Sequence, residues 1–142
     1  MNDIADSEAR HLAILYRQMM KQLDRELAPL GLGPGRYAYL FALYARDDRT
    51  QQELADAVCA DKAAAARALA RLEADGYILR RPDASDRRVM RVSLSARAQP
   101  LRRVLERAAA SSIDALTREL DRSERRQMKA LLAKMVQPYL RT

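Results

Sequence analysis

Between Thr50 and Leu94 the chain changes periodicity in an order that few folds accommodate: two short helical runs, a β-type run, a charged turn and a second β-type run. The first helix opens on TQQE, where the Thr50 hydroxyl is placed to accept from a backbone N–H near Glu53 while the glutamate reaches back, a reciprocal capping box. It extends to about Val58. The turn Cys59-Ala60 and a second cap at Asp61 open the segment DKAAAARALARLEAD, in which Ala65, Ala68, Leu69 and Leu72 share one helical face and Lys62, Arg67 and Arg71 lie on another. Gly76 closes this helix as a left-handed residue. Tyr77 to Arg80 and Val89 to Leu94 follow as two strands around RPDASDRR, a hairpin whose tip is a wing. Alternation in VMRVSL turns Met90, Val92 and Leu94 inward. The reading is a mainly α fold with a small β-hairpin wing, a winged helix-turn-helix.

The flanks are helical. Ser7 to Leu27 carries Leu12, Tyr16, Met19, Leu23 and Leu27 along one stripe, and Pro29, Gly31, Gly33, Pro34 and Gly35 break it. Arg36 to Arg46 forms a second amphipathic helix. Beyond the wing, Ser95 is expected to cap a long helix reaching Leu120, with a bend near Pro100, where proline lies past its harmless positions. A last helix, capped by Asp121 or Ser123, bears Met128, Leu131, Leu132, Met135, Val136, Tyr139 and Leu140. The two chain ends therefore offer more apolar surface than one small core covers. Packing against a second copy, or an intramolecular helical bundle, would bury it, and the homodimer is the expectation. The organisation is one domain over 1–142, with a reading lobe at 30–95 and dimerisation helices at 1–28 and 96–142.

The excess charge is placed unevenly. Residues 1–49 balance, 50–98 carry +2 and 99–142 carry +5, while 62–91 holds eight basic against four acidic side chains. A basic helix and turn fit an acidic polymer, although a soluble surface can be basic for no such reason. One cysteine and one histidine, Cys59 and His11, leave no internal disulfide and no cysteine- or histidine-based metal cluster, since zinc needs about four ligands. They also supply no convincing nucleophile and base, so an enzyme is not expected, nor any cofactor. No run approaches the roughly 18 apolar residues of a membrane span, and the N-terminus lacks a signal-peptide pattern. The expected location is the cytoplasm, with no membrane partner.

The partner implied is double-stranded DNA. A helix with small apolar residues behind and cations in front suits a major groove roughly 12 Å wide. Arg67 has the reach to bond a guanine edge bidentately, or else contacts phosphate; Lys62, at the helix start, is a phosphate contact. Ala63, Ala64 and Ala66 allow close approach and methyl contact with thymine, or simply favour helix. Arg71 completes the basic face. In the wing, a carboxylate pair between Asp86 and Arg88 would hold the loop so that Arg87 projects toward a narrow minor groove, whose potential attracts arginine. The alternative there is an exposed ion pair worth about 0–1 kcal/mol. A winged helix used for protein contacts would keep the fold without a basic tip.

The order of helices, QQELADAV, RLEADGYILRRPDASDRR and VSLSARAQPL together resemble the multiple antibiotic resistance regulator (MarR) family over essentially the whole chain, with SDRR and SARAQPL most similar to its SlyA branch. The resemblance implies a dimeric regulator of transcription, in the repressor tradition of that family, on pseudo-palindromic operators. A helix would enter each of two successive major grooves and a wing each flanking minor groove. It also implies release by small aromatic carboxylates or phenols. Their expected site is where the first two helices meet the lobe, at His11, Tyr16, Arg17, Arg36 and Tyr37, residues that could equally be packing. The chain departs from the family pattern at Ala63, Ala64 and Ala66, at Ala98 and at Cys59. A thiol beside a helix N-terminus could sense oxidants, yet peroxide-sensing relatives carry theirs in the first helix, so Cys59 is expected to be a buried or inert turn residue. Control by abundance or by competition with another DNA-binding protein is the ligand-independent alternative.

Overall fold

A computed structural model describes residues 6–33 and 35–140. Helix α1 (Glu8–Leu27) is capped by Ser7, whose side chain accepts from the Arg10 N–H. A 3-10 turn at Ala28–Leu30 leads through Gly31 to α2 (Tyr37–Ala45); of the breakers expected here, Pro34 lies outside the described residues. Then come β1 (Arg49–Thr50), α3 (Gln51–Ala57), α4 (Lys62–Ala74), β2 (Ile78–Pro82), β3 (Met90–Leu94), α5 (Ala98–Leu116) and α6 (Arg122–Leu140).

The helix-turn-helix forms as its caps dictate. Thr50 Oγ1 accepts from Glu53 N at 3.1 Å and Glu53 Oε2 from Thr50 N at 2.9 Å, while Asp61 Oδ1 accepts from Ala64 N at 2.7 Å. Between the helices Cys59 takes φ +55°, the left-handed conformation that a tight turn demands and that glycine adopts without strain. Cys59 is exposed, so of the two expectations for it, a buried or an inert turn residue, burial does not hold. At the far end of α4, Gly76 takes φ +82° and turns the chain into β2.

The sheet has three strands, not two. Its order is β1-β3-β2, all antiparallel, and Arg49, Val92 and Arg80 form one cross-strand row. The added strand is two residues long, below the length at which alternation can be read. Strand β2 also runs on through Arg81 and Pro82, beyond the Arg80 end that the sequence pattern predicts. Val92 is fully buried, whereas Met90 near the wing is 36% exposed: the inner face of the hairpin is covered at its base only.

One core joins the lobe to the roots of the long helices. Leu23 and Leu27 of α1, Tyr37, Tyr39, Leu40 and Leu43 of α2, Leu54, Leu69, Leu72, Ile78, Val92, Leu101 and Leu105 all belong to it. Only the C-terminal half of the α1 stripe takes part, because Leu12 and Tyr16 are 50% and 58% exposed.

Two expectations about α5 fail together. The helix begins at Ala98 with Arg97 at the cap position, so Pro100 falls in the first turn, where its missing N–H has no intrahelical partner to lose. Ser95 does not cap; its hydroxyl donates to the Gly76 carbonyl and ties the end of the sheet to the end of α4. The helix stops at Leu116, and Leu120 lies in the following turn. Asp121 opens α6 through a second reciprocal box with Glu124. None of the nineteen residues of α6 is buried.

Candidate nucleic-acid interface

Helix α4 buries Ala65, Leu69 and Leu72, which rotates Lys62, Ala63, Arg67 and Arg71 to solvent. Ala64 and Ala66 are half-buried at its shoulders. Between the exposed cations stand only methyl groups, so a flat ligand edge can approach the backbone closely. Among the described residues no carboxylate pairs with Lys62 or Arg67. Arg71 differs: its Nε donates to Asp75 Oδ2 at 3.3 Å, an i,i+4 pair that draws it toward the helix C-terminus.

The wing is built from a carboxylate on each side of its turn. Asp86 takes the Arg88 guanidinium through both oxygens, Nε to Oδ1 at 3.0 Å and Nη2 to Oδ2 at 3.1 Å, and also accepts from Arg88 N at 3.1 Å. Arg87 is thereby left exposed at the tip, with no described partner. Asp83, which the sequence pattern alone does not single out, organises the base of the turn. Its Oδ2 accepts from Ser85 Oγ at 2.6 Å, Ser85 N at 3.0 Å and Asp86 N at 3.1 Å, and its Oδ1 from Arg91 at 3.2 Å. The Ser85 hydroxyl, the two backbone N–H groups and Arg91 together hold the carboxyl down at about 2. Arg91 and Arg81 reach in turn to Asp48, at 3.1 Å each, which locks the hairpin to the α2–β1 turn. The signal that could have found this network is the crowding of Asp83, Asp86 and Arg88 into one turn; its partner Asp48, 35 residues before Asp83, is not locatable by spacing.

Arg81, Arg88 and Arg91 of the hairpin are therefore matched by carboxylates, as is Arg80, which pairs Glu73 at 3.0 Å, whereas Lys62 and Arg67 on α4 and Arg87 at the tip of the wing have no such partner among the described residues. A cleft of about 200 Å³ separates these two projections, walled by Gln51, Gln52, Lys62 and Arg88. The arrangement presents positive charge on two fingers with a groove between them, the geometry that follows a phosphate backbone.

The residues expected to hold an effector are not gathered in one place. His11, paired with Asp6 at 3.5 Å, leaves α1 in a different direction from Tyr16 and from Arg17, since successive residues turn by about 100°. Tyr37 is buried and donates to Asp24 at 3.2 Å; burial, with that carboxylate second, raises its phenol well above the ordinary range. Arg36, its neighbour in sequence, has a different partner and donates to Asp75 Oδ2 at 3.3 Å. It borders instead a cleft of about 460 Å³ shared with Tyr39, Val58, Ala64, Arg67 and Arg71, a site with three arginines and an apolar floor. No group of three or more metal-ligating side chains occurs among the described residues, and no described helix is long and apolar enough to cross a membrane.

Residues 32–90 match the MarR family. Over 132 residues the chain is 26% identical to the uncharacterised HTH-type transcriptional regulator YybA of Bacillus subtilis strain 168, covering 93% of this chain and 85% of that protein. Among solved structures it is similar to a MarR transcriptional regulator from Methanosarcina mazei Go1, at 30% identity and TM-score 0.88 over 93% of this chain and 95% of the other. A mutant MarR from E. coli, complexed with operator DNA, shares the fold at 22% identity and TM-score 0.77, over 95% and 99% of the two chains.

Proposed function

The chain belongs to the MarR family of transcription regulators, and from that premise we propose that it binds a pseudo-palindromic DNA operator as a homodimer, with α4 in the major groove and the wing tip in the flanking minor groove. The observation that carries this reading is the contrast in cation pairing. Arg80, Arg81, Arg88 and Arg91 are neutralised by Glu73, Asp48, Asp86 and Asp83, while Lys62, Arg67 and Arg87 face solvent without partners among the described residues. Unpaired, exposed arginines on two rigid projections are the elements that phosphate contact and base reading require. The fold likeness to a MarR mutant complexed with operator DNA supports DNA as the partner. The wing pair between Asp86 and Arg88 serves to present Arg87, and Arg67 is the principal base reader.

The test is a salt titration on random duplex DNA and on a duplex selected from a random library. Each phosphate contact contributes a slope of about −0.9 in log K against log salt, so a dimer using Lys62, Arg67 and Arg87 on both halves should lose affinity steeply. Binding that does not weaken with salt, or no enrichment of any sequence, would overturn the proposal.

A second reading concerns control. A small aromatic carboxylate is proposed to seat in the 460 Å³ cleft on Arg67 and to release DNA, because Arg67 alone of the three arginines there is not held by Asp75 and the floor of the cleft is apolar. It acts only through a difference in affinity between the free and DNA-bound forms. A thermal-shift panel of phenolic acids followed by operator binding decides this; ligands that stabilise the protein without lowering operator affinity count against it.

A further inference from the structure

We propose that the turn Asp75–Tyr77 is the pivot on which the recognition helix is aimed, with Asp75 as its positioning residue; this rests on the operator-binding reading and adds to it how the helix is held. Both segments that lead into the long terminal helices converge on these three residues. From the α1–α2 link, Arg36 donates to Asp75 Oδ2 at 3.3 Å, and the Leu30 carbonyl accepts from Tyr77 Oη at 3.3 Å. From the β3–α5 link, Arg97 donates to the Asp75 carbonyl at 2.6 Å with its guanidinium 4.8 Å from the Tyr77 ring centre, and Ser95 donates to the Gly76 carbonyl. The carbonyls at a helix C-terminus carry partial negative charge, so cations are favoured there.

Helix α4 is thus gripped at its C-terminal end, while Arg67, the principal base reader, stands at mid-helix and the phosphate contact Lys62 at the far end. The eight residues from Asp75 back to Arg67 span about 12 Å, so a tilt of about 10° at the pivot displaces the Arg67 backbone by about 2 Å, more than a base-edge hydrogen bond tolerates. Aim at this end therefore decides register at Arg67. The seat of Arg36 is shaped for the purpose: a Cβ added at Gly33 would stand 2.7 Å from Arg36 Nη2, so the guanidinium lies in space that only glycine leaves open. Because that atom is the end of a flexible side chain, Gly33→Ala moves the arginine off its seat with little demand on the fold.

The experiment uses the full chain and two variants, Asp75→Asn and Gly33→Ala, with melting temperature, amide exchange and affinity for both the selected duplex and random duplex at one salt concentration. In both variants melting is expected to hold while exchange at the amides of Gly76 and Tyr77 rises about tenfold, as local opening at the turn becomes easier. The ratio of selected to random affinity falls about tenfold, with the double variant no worse than either alone. Loss of a negative charge at position 75 would by itself strengthen both affinities together, and Gly33→Ala changes no charge. A preserved ratio in both variants overturns the pivot, as does a melting loss with the ratio intact. If the parent protein shows no salt-dependent DNA binding, the operator reading fails, and unchanged exchange at Gly76 and Tyr77 then overturns the pivot on its own.

Discussion

Arg67 and Arg87 carry the same charge and are both exposed, yet their surroundings assign them different tasks. Arg67 projects from a rigid helix among methyl groups, so its direction is fixed and a single base edge can be read; Arg67→Ala should relax preference at one operator position per half-site by about 1–3 kcal/mol. Arg87 stands at the end of a turn held by Asp83 and Asp86, and Arg87→Ala should weaken binding across sequences and lower the salt slope by about 1 per subunit. Competition assays against single-base operator variants distinguish these outcomes, and equal, sequence-blind losses would remove Arg67 as a reader. Asp83 adds a pH dependence. Its folded pKa of about 2 lies below the ordinary 3.8, so its contribution is complete above pH 4 and is lost as pH falls from there through about 2. Asp83→Asn should therefore flatten the acid limb of the stability curve in that window and leave its slope near neutral pH unchanged, measured by urea unfolding. At position 59 it is the backbone that meets the demand of the turn: φ +55° is available to glycine at no steric cost.

At the level of elements, the caps are readable in the sequence and the links are not. Thr50, Asp61, Asp121 and Gly76 each act locally, within three or four residues, and each does in the structure what its spacing implies. Thr50→Ala should cost about 1 kcal/mol in urea unfolding, since it leaves the Glu53 N–H without its acceptor. Ser95 misleads because a serine ahead of a helical run is a cap signal only when nothing distant competes for its hydroxyl; here the Gly76 carbonyl does. The start of α5 moves to Ala98 in consequence and removes the kink expected at Pro100. Pro100→Ala should change stability by less than about 1 kcal/mol, whereas a proline inside the helix would contribute a change of about 3 kcal/mol. A change of that larger size on replacing Pro100 would show that the first turn is not where the structure has it.

Over the whole molecule the apolar surface is divided between a filled core and two unfilled faces. Leu12, Leu15 and Tyr16 on α1 and Leu131, Leu132, Met135, Tyr139 and Leu140 on α6 are each between 44% and 66% exposed, a density of large side chains that a lone chain in water does not favour. Both faces come from chain ends, and the ion pair that ties α6 to the rest of the described chain, Arg125 with Asp114, lies near its start. Leu132 and Met135 make no part of the core, so charged residues in their place should leave the fold intact while producing monomers. Light scattering reads the mass and circular dichroism the helix content; a variant that remains dimeric and bound to DNA would sink this interface.

What the chain alone determined was most of what depends on neighbours within about one helical turn or one strand pair: the order of the helices, the caps at Thr50, Asp61 and Asp121, the hairpin, the exposed basic face of α4 and the pairing of Asp86 with Arg88. These follow from periodicity and hydrogen-bond reach, which are fixed by backbone geometry before any tertiary contact forms. Only the tertiary structure decided where long side chains went. Arg36, expected beside Tyr37 at an effector site, lies instead on Asp75, 39 residues away; Arg91, an outward strand residue by alternation, reaches Asp48. Adjacent residues at the start of a helix diverge by about 100°, and an arginine spans far enough that its partner is set by which elements pack beside it, not by what precedes it in the chain.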